Sequence, residues 1–198
     1  ASGDWRATWE LDGGGALMNQ GVHVVDLLTH LMGDVRRINA RCRTMVRNLA
    51  VEDTAVATLE FVHGALGVIE ATTSVAPGLS SKVEISGDKG TIILDGSDIT
   101  AWDVPGEELD MEESQSSNLS ADPLAGLSEA GHIRQISDLA EAVRNDREPE
   151  IPGREARRAV EVIKAIYLSS RRGGDTVELP MSYEDDGPGI DFQSSCSV

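Results

Sequence analysis

Lysine is scarce in this sequence, although charged residues as a whole are not. Of its 198 residues only Lys82, Lys89 and Lys164 are lysines, and the other 14 basic side chains are arginines. With 34 acidic residues the formal net charge is −17, so we expect neither nucleic acid nor an anionic membrane as a partner. An acidic, lysine-poor surface also keeps a protein soluble at high salt. The source is therefore either a halophilic organism or one whose protein is acidic without adaptation to salt.

Cysteine is equally rare, and long hydrophobic runs are absent. Cys42 and Cys196 have no Cys or His nearby at metal-ligand spacing, which predicts two unpaired thiols in a cytoplasmic protein. No apolar run approaches the ~18 residues that a membrane span requires. The chain begins Ala1-Ser2-Gly3-Asp4 without methionine, so we expect a fragment whose N-terminal part is missing.

The glycine motifs of nucleotide-binding loops are absent as well. The sequence contains neither GxGxxG after a strand nor GxxxxGK[ST]. Gly13-Gly14-Gly15 precedes a predicted helix and can in principle receive a phosphate, but without a preceding hydrophobic strand this signal is weak. Gly33 follows the same helix and can supply a left-handed C-terminal cap.

That helix, predicted over roughly 15–32, is the clearest pattern in the chain. Counted at about 100° per residue from Asn19, the side chains of His23, Asp26 and His30 fall within about 40° of one line. The opposite side is apolar, and its residues are Leu17, Met18, Val24, Val25, Leu28, Leu31 and Met32. The four polar residues, called the polar line below, include no Lys, Arg or Glu, which favours a cleft over open solvent.

His23 is the candidate for chemistry on this line because an imidazole exchanges protons near neutral pH. Asn19, one turn earlier, can orient the ring or bind a substrate hydroxyl, and Asp26 can fix the imidazole tautomer. A structural histidine is the competing interpretation, and a metal site is a weaker one because only two of the three are good ligands. Ahead of the helix, Trp5 and Arg6 form with Trp9 a cluster that suits a pocket wall or ordinary packing.

After the helix the period of the hydrophobic pattern changes from helical to alternating, which predicts strands. Strands are predicted at 35–46, 53–62, 65–74, 82–86, 91–94 and 99–104. A polar loop at 105–128, helices at 129–145 and 154–172, and a short strand at 176–179 follow. The predicted class is α+β, a largely antiparallel sheet of about six or more strands with an N-terminal and two C-terminal helices packed on it. We expect residues 1–180 to form one domain and residues 181–198 to form a disordered tail.

Several stretches of the chain together resemble one known domain, in order along the sequence. They are Trp5–Leu28, Val51–Ala55, Phe61–Gly67, Ile85–Ile92, His132–Leu139, Ala165–Ser170 and Val177–Pro180. They resemble the C-terminal domain of Gfo/Idh/MocA-family oxidoreductases, the glucose–fructose oxidoreductase and inositol dehydrogenase type. The resemblance covers residues from about 5 to 180 and is more specific than any single motif.

The resemblance implies a role for the polar line. In this family the helix often carries Asp-x-Gly-x-His-x-x-Asp, and here that pattern is Asn19 to Asp26. His23 matches the catalytic histidine, which accepts the hydroxyl proton as hydride leaves for nicotinamide. Asn19 replaces the usual aspartate and, as an amide, positions substrate instead of acting as a base. Asn19-Gln20 is similar to the sugar-nucleotide 3-dehydrogenase branch.

The family also implies what accompanies this domain. An N-terminal Rossmann domain, missing here, binds NAD or NADP, so we expect this chain to be inactive alone. We expect the substrate-binding and oligomerisation domain of a sugar, sugar-nucleotide or cyclitol dehydrogenase that forms a homodimer or homotetramer through its sheet. His23 is the expected catalytic residue, with Asn19, Asp26, Arg6 and Trp5 on the substrate and no metal. The alternative is a stand-alone, non-catalytic sugar-binding or assembly module.

Overall fold

The computed structural model describes residues 7–96, 98–108 and 129–182, with the backbone alone at 129 and 130. Trp5, Arg6, Cys196, most of the predicted 105–128 loop and most of the predicted tail lie outside the described residues. The chain forms two compact units: residues 1–76 together with 153–198, and residues 77–152. None of the described helices is long and apolar enough to cross a membrane.

The elements follow the predicted order closely. They are a π-helical turn (Leu17–Gly21), α1 (Val22–Met32), β1 (Val35–Arg43), β2 (Thr54–Phe61), β3 (Leu66–Thr72), β4 (Lys82–Gly87), β5 (Gly90–Asp95), β6 (Asp98–Asp103), α2 (Glu129–Arg144), α3 (Gly153–Arg171) and β7 (Val177–Glu178). The α+β class and the antiparallel pairing are confirmed. The strands divide between two sheets, because β4 begins a separate hairpin after the segment that follows β3.

The larger unit is built on a four-stranded antiparallel sheet in the order β3-β2-β1-β7. Along β1, Ile38, Ala40 and Cys42 are buried, as the alternating pattern predicts, and Arg41 points to the other face. Two small residues of β2 face this buried row, since Ala40 pairs with Ala57 and Cys42 with Ala55. Small side chains leave room for a helix against this face.

Helix α3 lies on that buried face together with α1. Ile163 and Ile166 of α3 and Leu17 and Val25 of the N-terminal helix are almost fully buried in one core. Two serines of α3 also complete the hydrogen bonds of β1: Ser169 accepts from Ala40 N–H and Ser170 from Cys42 N–H, each at 2.8 Å. The strand β7 pairs only with Arg37 and Ile38, so these serine hydroxyls take over where that strand ends.

The smaller unit contains a three-stranded antiparallel sheet, β4-β5-β6, and helix α2. The strands β4 and β5 meet at the Gly87–Gly90 pair, where the two-residue turn Asp88-Lys89 closes the predicted hairpin. The apolar face predicted for α2 is present but stays exposed. Its members and their exposed fractions are Ile133 (62%), Ile136 (69%), Leu139 (56%) and Val143 (77%). Only Ala142 of this helix is buried among the side chains described.

Candidate active site

The polar line lies on the exposed side of the N-terminal helix, opposite the buried Leu17 and Val25. The side chains of Asn19, His23, Asp26 and His30 are all exposed. Within the described part of the chain, none of the four donates or accepts a side-chain hydrogen bond, so the contacts predicted for the His23 ring are not made here. A catalytic hydrogen bond often forms only when substrate is bound, and the roles of these residues stay predictions.

The helix does not start as a regular α-helix, which corrects the prediction of one α-helix over 15–32. Leu17–Gly21 is a π-helical turn, and the α-helix begins at Val22. Asn19 therefore lies in the wider turn and His23 in the regular one. The angle between their side chains is set by this change of helix type and not by a uniform 100° per residue. Short π-helical turns inside helices occur often at functional sites.

Glu52 caps the start of this helix from 35 residues away. Its carboxylate accepts hydrogen bonds from the N–H groups of Gly15 and Leu17, both at 2.9 Å, and its backbone oxygen accepts one from Ala16 at 3.1 Å. The helix has no side-chain cap of its own. A carboxylate at this end satisfies amides that have no partner within the helix and interacts favourably with the helix dipole.

The glycines before the helix make this approach possible. A Cβ atom on Gly15 would lie 1.8 Å from the backbone oxygen of Glu52, and one on Gly14 would lie 2.3 Å from the Tyr167 hydroxyl oxygen. Gly13 has a φ of +74°, in the left-handed region that favours glycine. Because Glu52 already occupies the amides at this helix start, the phosphate site considered for the glycine triplet is not formed.

Tyr167 of α3 completes this buried arrangement. Its hydroxyl donates to Glu52 Oε1 at 2.8 Å, and its ring packs edge-to-face against Trp9 with centroids 5.1 Å apart. The Trp9 indole N–H donates to the backbone oxygen of Ala50 at 2.8 Å. Trp9 thus packs against Tyr167, which agrees with ordinary packing, the second of the two interpretations considered for this cluster. Trp5 and Arg6, the other members of that cluster, lie outside the described residues.

Two neighbouring carboxylates in this region have pKa values shifted in opposite directions. Burial raises the pKa of Glu52, and hydrogen bonds from Leu17 and Tyr167 offset this only in part. Burial acts in the same direction on Asp53, but hydrogen bonds, chiefly from the backbone of Met45 and Val46, outweigh it and lower the pKa to about 2. Asp53 is therefore a carboxylate that binds loop amides, whereas Glu52 is ionised at a cost.

The same environment makes two other groups of the core unreactive. Burial, followed by the charge of Glu52, raises the pKa of Tyr167 well above its ordinary value. Burial also raises the pKa of the Cys42 thiol to about 12, so this free cysteine is not a nucleophile. Among the described residues, no three His, Cys, Asp or Glu side chains converge on a possible metal position.

The C-terminal end of α1 is held by α3 as well. The helix ends at Gly33 as predicted, and the Gly33 N–H donates to the Thr29 oxygen at 2.9 Å, but with φ +81° and ψ −158° the glycine does not adopt the predicted left-handed helical conformation. The Arg158 guanidinium donates to the same oxygen at 3.0 Å and forms an ion pair with Asp34 at 3.0 Å. Helix α3 thus contacts both ends of the helix that carries the polar line.

Comparison with known proteins identifies the family. A family model described as the oxidoreductase family, C-terminal alpha/beta domain, matches residues 1–179. The chain belongs to the Gfo/Idh/MocA family. This confirms the resemblance found in the sequence, and solved structures of dehydrogenases share its fold.

Three relatives show the extent of the similarity. A WlbA dehydrogenase from Bordetella pertussis, solved with NADH and UDP-GlcNAcA, matches with a TM-score of 0.75 and 34% identity, over 90% of this chain and 51% of that one. A WlbA dehydrogenase from Chromobacterium violaceum, solved with the same two ligands, gives 0.74 and 34%, over 91% and 50%. D-apiose dehydrogenase from Paraburkholderia graminis is 28% identical, over 90% of this chain and 48% of that protein. The chain thus spans about half the length of these relatives.

Glu52 and Tyr167 have no role in the sequence-based prediction, although both lie in stretches that carried the family resemblance. A signal for them was present. An amphipathic helix preceded by three glycines has no Ser, Thr, Asp or Asn cap, so its first amides need a partner from elsewhere. Spacing cannot say which distant residue provides it, because the Glu52 contact depends on how β2 and α3 meet the helix start.

Proposed function

We propose that this chain is the substrate-binding domain of an NAD(P)-dependent dehydrogenase that oxidises a secondary hydroxyl group of a sugar nucleotide. Family membership carries the proposal, since the family model matches residues 1–179. The sugar-nucleotide class is supported by the two WlbA dehydrogenases, which are 34% identical and were solved with UDP-GlcNAcA. Asn19-Gln20, which is similar to that branch, supports it too.

In this proposal His23 accepts the proton of the substrate hydroxyl group as hydride leaves the carbon that bears this group. The His23 side chain is exposed on α1 and makes no hydrogen bond to the described residues, so its imidazole is accessible to a substrate. Asn19 hydrogen-bonds and orients the substrate, and Asp26 lies on the same exposed side. Trp5 and Arg6 add substrate contacts from the segment ahead of the helix.

The cofactor is assigned mainly to an N-terminal Rossmann domain outside this chain. NAD(P), when bound, supplies the hydride acceptor. The phosphate site considered from the sequence is the glycine-rich helix start. Its amides donate to Glu52, so this helix start does not fit the diphosphate of the cofactor. His23 would supply the proton acceptor that oxidation of a hydroxyl group needs.

We expect the protein to form a homodimer or homotetramer through the outer face of the four-stranded sheet. Three apolar residues on this face are exposed: Val56 (46%), Leu66 (81%) and Val68 (68%). Val68→Glu should reduce the mass measured by light scattering, because a buried carboxylate opposes the interface. Leu79→Glu, at a residue 86% exposed in the other unit, is the matched control and should leave the mass unchanged.

The decisive experiment uses the full-length enzyme. With UDP-GlcNAcA and either NAD or NADP, we expect the absorbance of the reduced nicotinamide to rise, and we expect no turnover from the 198-residue chain alone. D-apiose and myo-inositol are assayed in parallel, and a clear preference for either would contradict the sugar-nucleotide assignment. Binding of sugars without turnover by the full-length protein would favour the alternative, a non-catalytic sugar-binding or assembly module.

A further inference from the structure

The helix that carries the polar line is held by α3 at both of its ends. At the N-terminal end, Tyr167 donates to Glu52, whose carboxylate binds the amides of the helix start. At the C-terminal end, Arg158 donates to the backbone oxygen of Thr29. The two ends differ in their distance from the proposed chemistry, because Asn19 and the π-helical turn lie at the first end.

We propose that Glu52 and Tyr167 are positioning residues of the active site, which fix the π-helical turn and thereby the directions of Asn19 and His23 toward substrate. This inference rests on the proposed function, and it adds two residues that do not touch the substrate themselves. Both are buried, with Glu52 1% and Tyr167 5% exposed.

The covalent path from these contacts to the polar line is short. Glu52 binds the amide of Leu17, and Asn19 follows two residues later within the same π-helical turn. The Asn19 N–H donates to the backbone oxygen of Gly15, the other residue whose amide Glu52 binds, at 3.0 Å. A displacement of the Glu52 carboxylate would therefore shift Gly15 and Leu17, the two residues that connect Asn19 to Glu52.

A cap chosen for helix stability alone does not need this arrangement. A local Ser, Thr or Asp caps a helix at the surface without burying a charge. Glu52 instead keeps a carboxylate in the core, against amides and a hydroxyl, where ionisation is disfavoured. In return, one side chain joins the helix start, the segment before β2 and α3 in a single geometry, which suits a site that must hold its shape.

The test compares variants at the two ends of the helix in the full-length enzyme, with UDP-GlcNAcA and NAD(P). Tyr167→Phe and Glu52→Gln each remove a hydrogen bond of the buried cap, and we expect kcat to fall about tenfold or more, because small misplacements of catalytic groups are costly. The KM for the cofactor should stay the same. Arg158→Gln is the matched control: it should lower the melting temperature and leave kcat within about twofold.

Hydrogen exchange gives a readout that does not need turnover. Tyr167→Phe should speed amide exchange at residues 15–21 specifically, whereas Arg158→Gln should speed it near Thr29. If residues 15–21 exchange as in the unchanged protein, the proposal is wrong whatever the substrate. Tyr167→Phe removes only one hydroxyl group, so this variant tests the positioning role even if Glu52→Gln does not fold.

The two proposals fail in different ways. If His23→Ala keeps full turnover, the proposed function is wrong. If His23→Ala abolishes turnover while Tyr167→Phe and Glu52→Gln remain within about twofold of the unchanged enzyme, only the positioning role is wrong. An equal loss of kcat in Arg158→Gln would also overturn the positioning role, because general destabilisation would then explain all three variants.

Discussion

The polar line lies on the N-terminal helix, and the buried pair Glu52 and Tyr167 caps the start of that helix from elsewhere in the chain, so the two sets differ in burial and in hydrogen bonding. Asn19, His23 and Asp26 face solvent without described side-chain hydrogen bonds. Every oxygen of the Glu52 carboxylate has a donor, because an unpaired buried carboxylate would be costly. The unpaired polar groups at the surface are available to a ligand. The paired polar groups in the core hold the helix on which these exposed groups lie.

The largest effect is expected at Gly15, whose amide donates to Glu52. Gly15→Ala should lower the free energy of unfolding by about 3 kcal/mol, because the added Cβ would meet the Glu52 backbone at 1.8 Å and neither chain segment can move freely. Gly78→Ala is the control, since a Cβ there meets nothing within 4 Å. Urea unfolding of the two variants measures the difference. A loss below about 0.5 kcal/mol in Gly15→Ala would mean that the cap can rearrange.

The exposed side is tested at His23. In the full-length enzyme, His23→Ala should lower kcat about 100-fold or more, because a general base at this point is lost, and should leave cofactor affinity intact. His30→Ala removes the other histidine of the polar line and should leave kcat within about twofold, because His30 lies roughly 10 Å further along the helix axis. Equal kcat in His23→Ala and the unchanged enzyme would make His23 a structural residue.

The third test separates the two adjacent carboxylates by pH. Asp53 has a folded pKa of about 2, below its ordinary 3.8, so its stabilising contribution is present above pH 3.8 and lost as the pH falls toward 2. Between pH 3.8 and pH 2 the free energy of unfolding should fall by about 2 kcal/mol less in Asp53→Asn than in the unchanged protein. Unfolding curves recorded at the two pH values measure this difference.

Glu52→Gln is the counterpart in that experiment, because the sign is reversed for Glu52. Its folded pKa is raised, so its contribution is present below the ordinary value of 4.5 and is lost as the pH rises through the folded pKa. Glu52→Gln should therefore change the pH dependence above 4.5 and leave the acid side unaffected. The same acid-side change in both variants would contradict the opposite shifts.

Most elements of the fold could be predicted because their signals are local. Alternation marked β1 and its buried row of Ile38, Ala40 and Cys42, and the glycine at position 33 marked the end of the helix. The π-helical turn could not be predicted in this way. The amide of Leu17, its first residue, donates to a carboxylate 35 residues away, and no local period carries that information.

The division of the strands between two sheets was equally out of reach. Six consecutive strands with short turns fit one meander as well as two sheets, and the choice depends on which strand edges find partners. A single meander would pair β4 with β3, whereas in the structure β4 pairs with β5. The other edge of the larger sheet is completed from far along the chain, because β7 pairs with β1 at Arg37 and Ile38, and Ser169 and Ser170 bind β1 beyond them. Those partners lie more than 125 residues further along the chain, so only the folded structure brings them together.

The family, the order of the elements and the polar line with His23 on it could be predicted from the amino-acid sequence, because they depend on residue identity and on short repeats. The contacts that hold this helix became visible only in the folded chain: Glu52 binds the helix start, Tyr167 binds Glu52, and Arg158 binds the far end. The physical reason is that amides at a helix end need a partner, and folding alone determines which distant side chain reaches them.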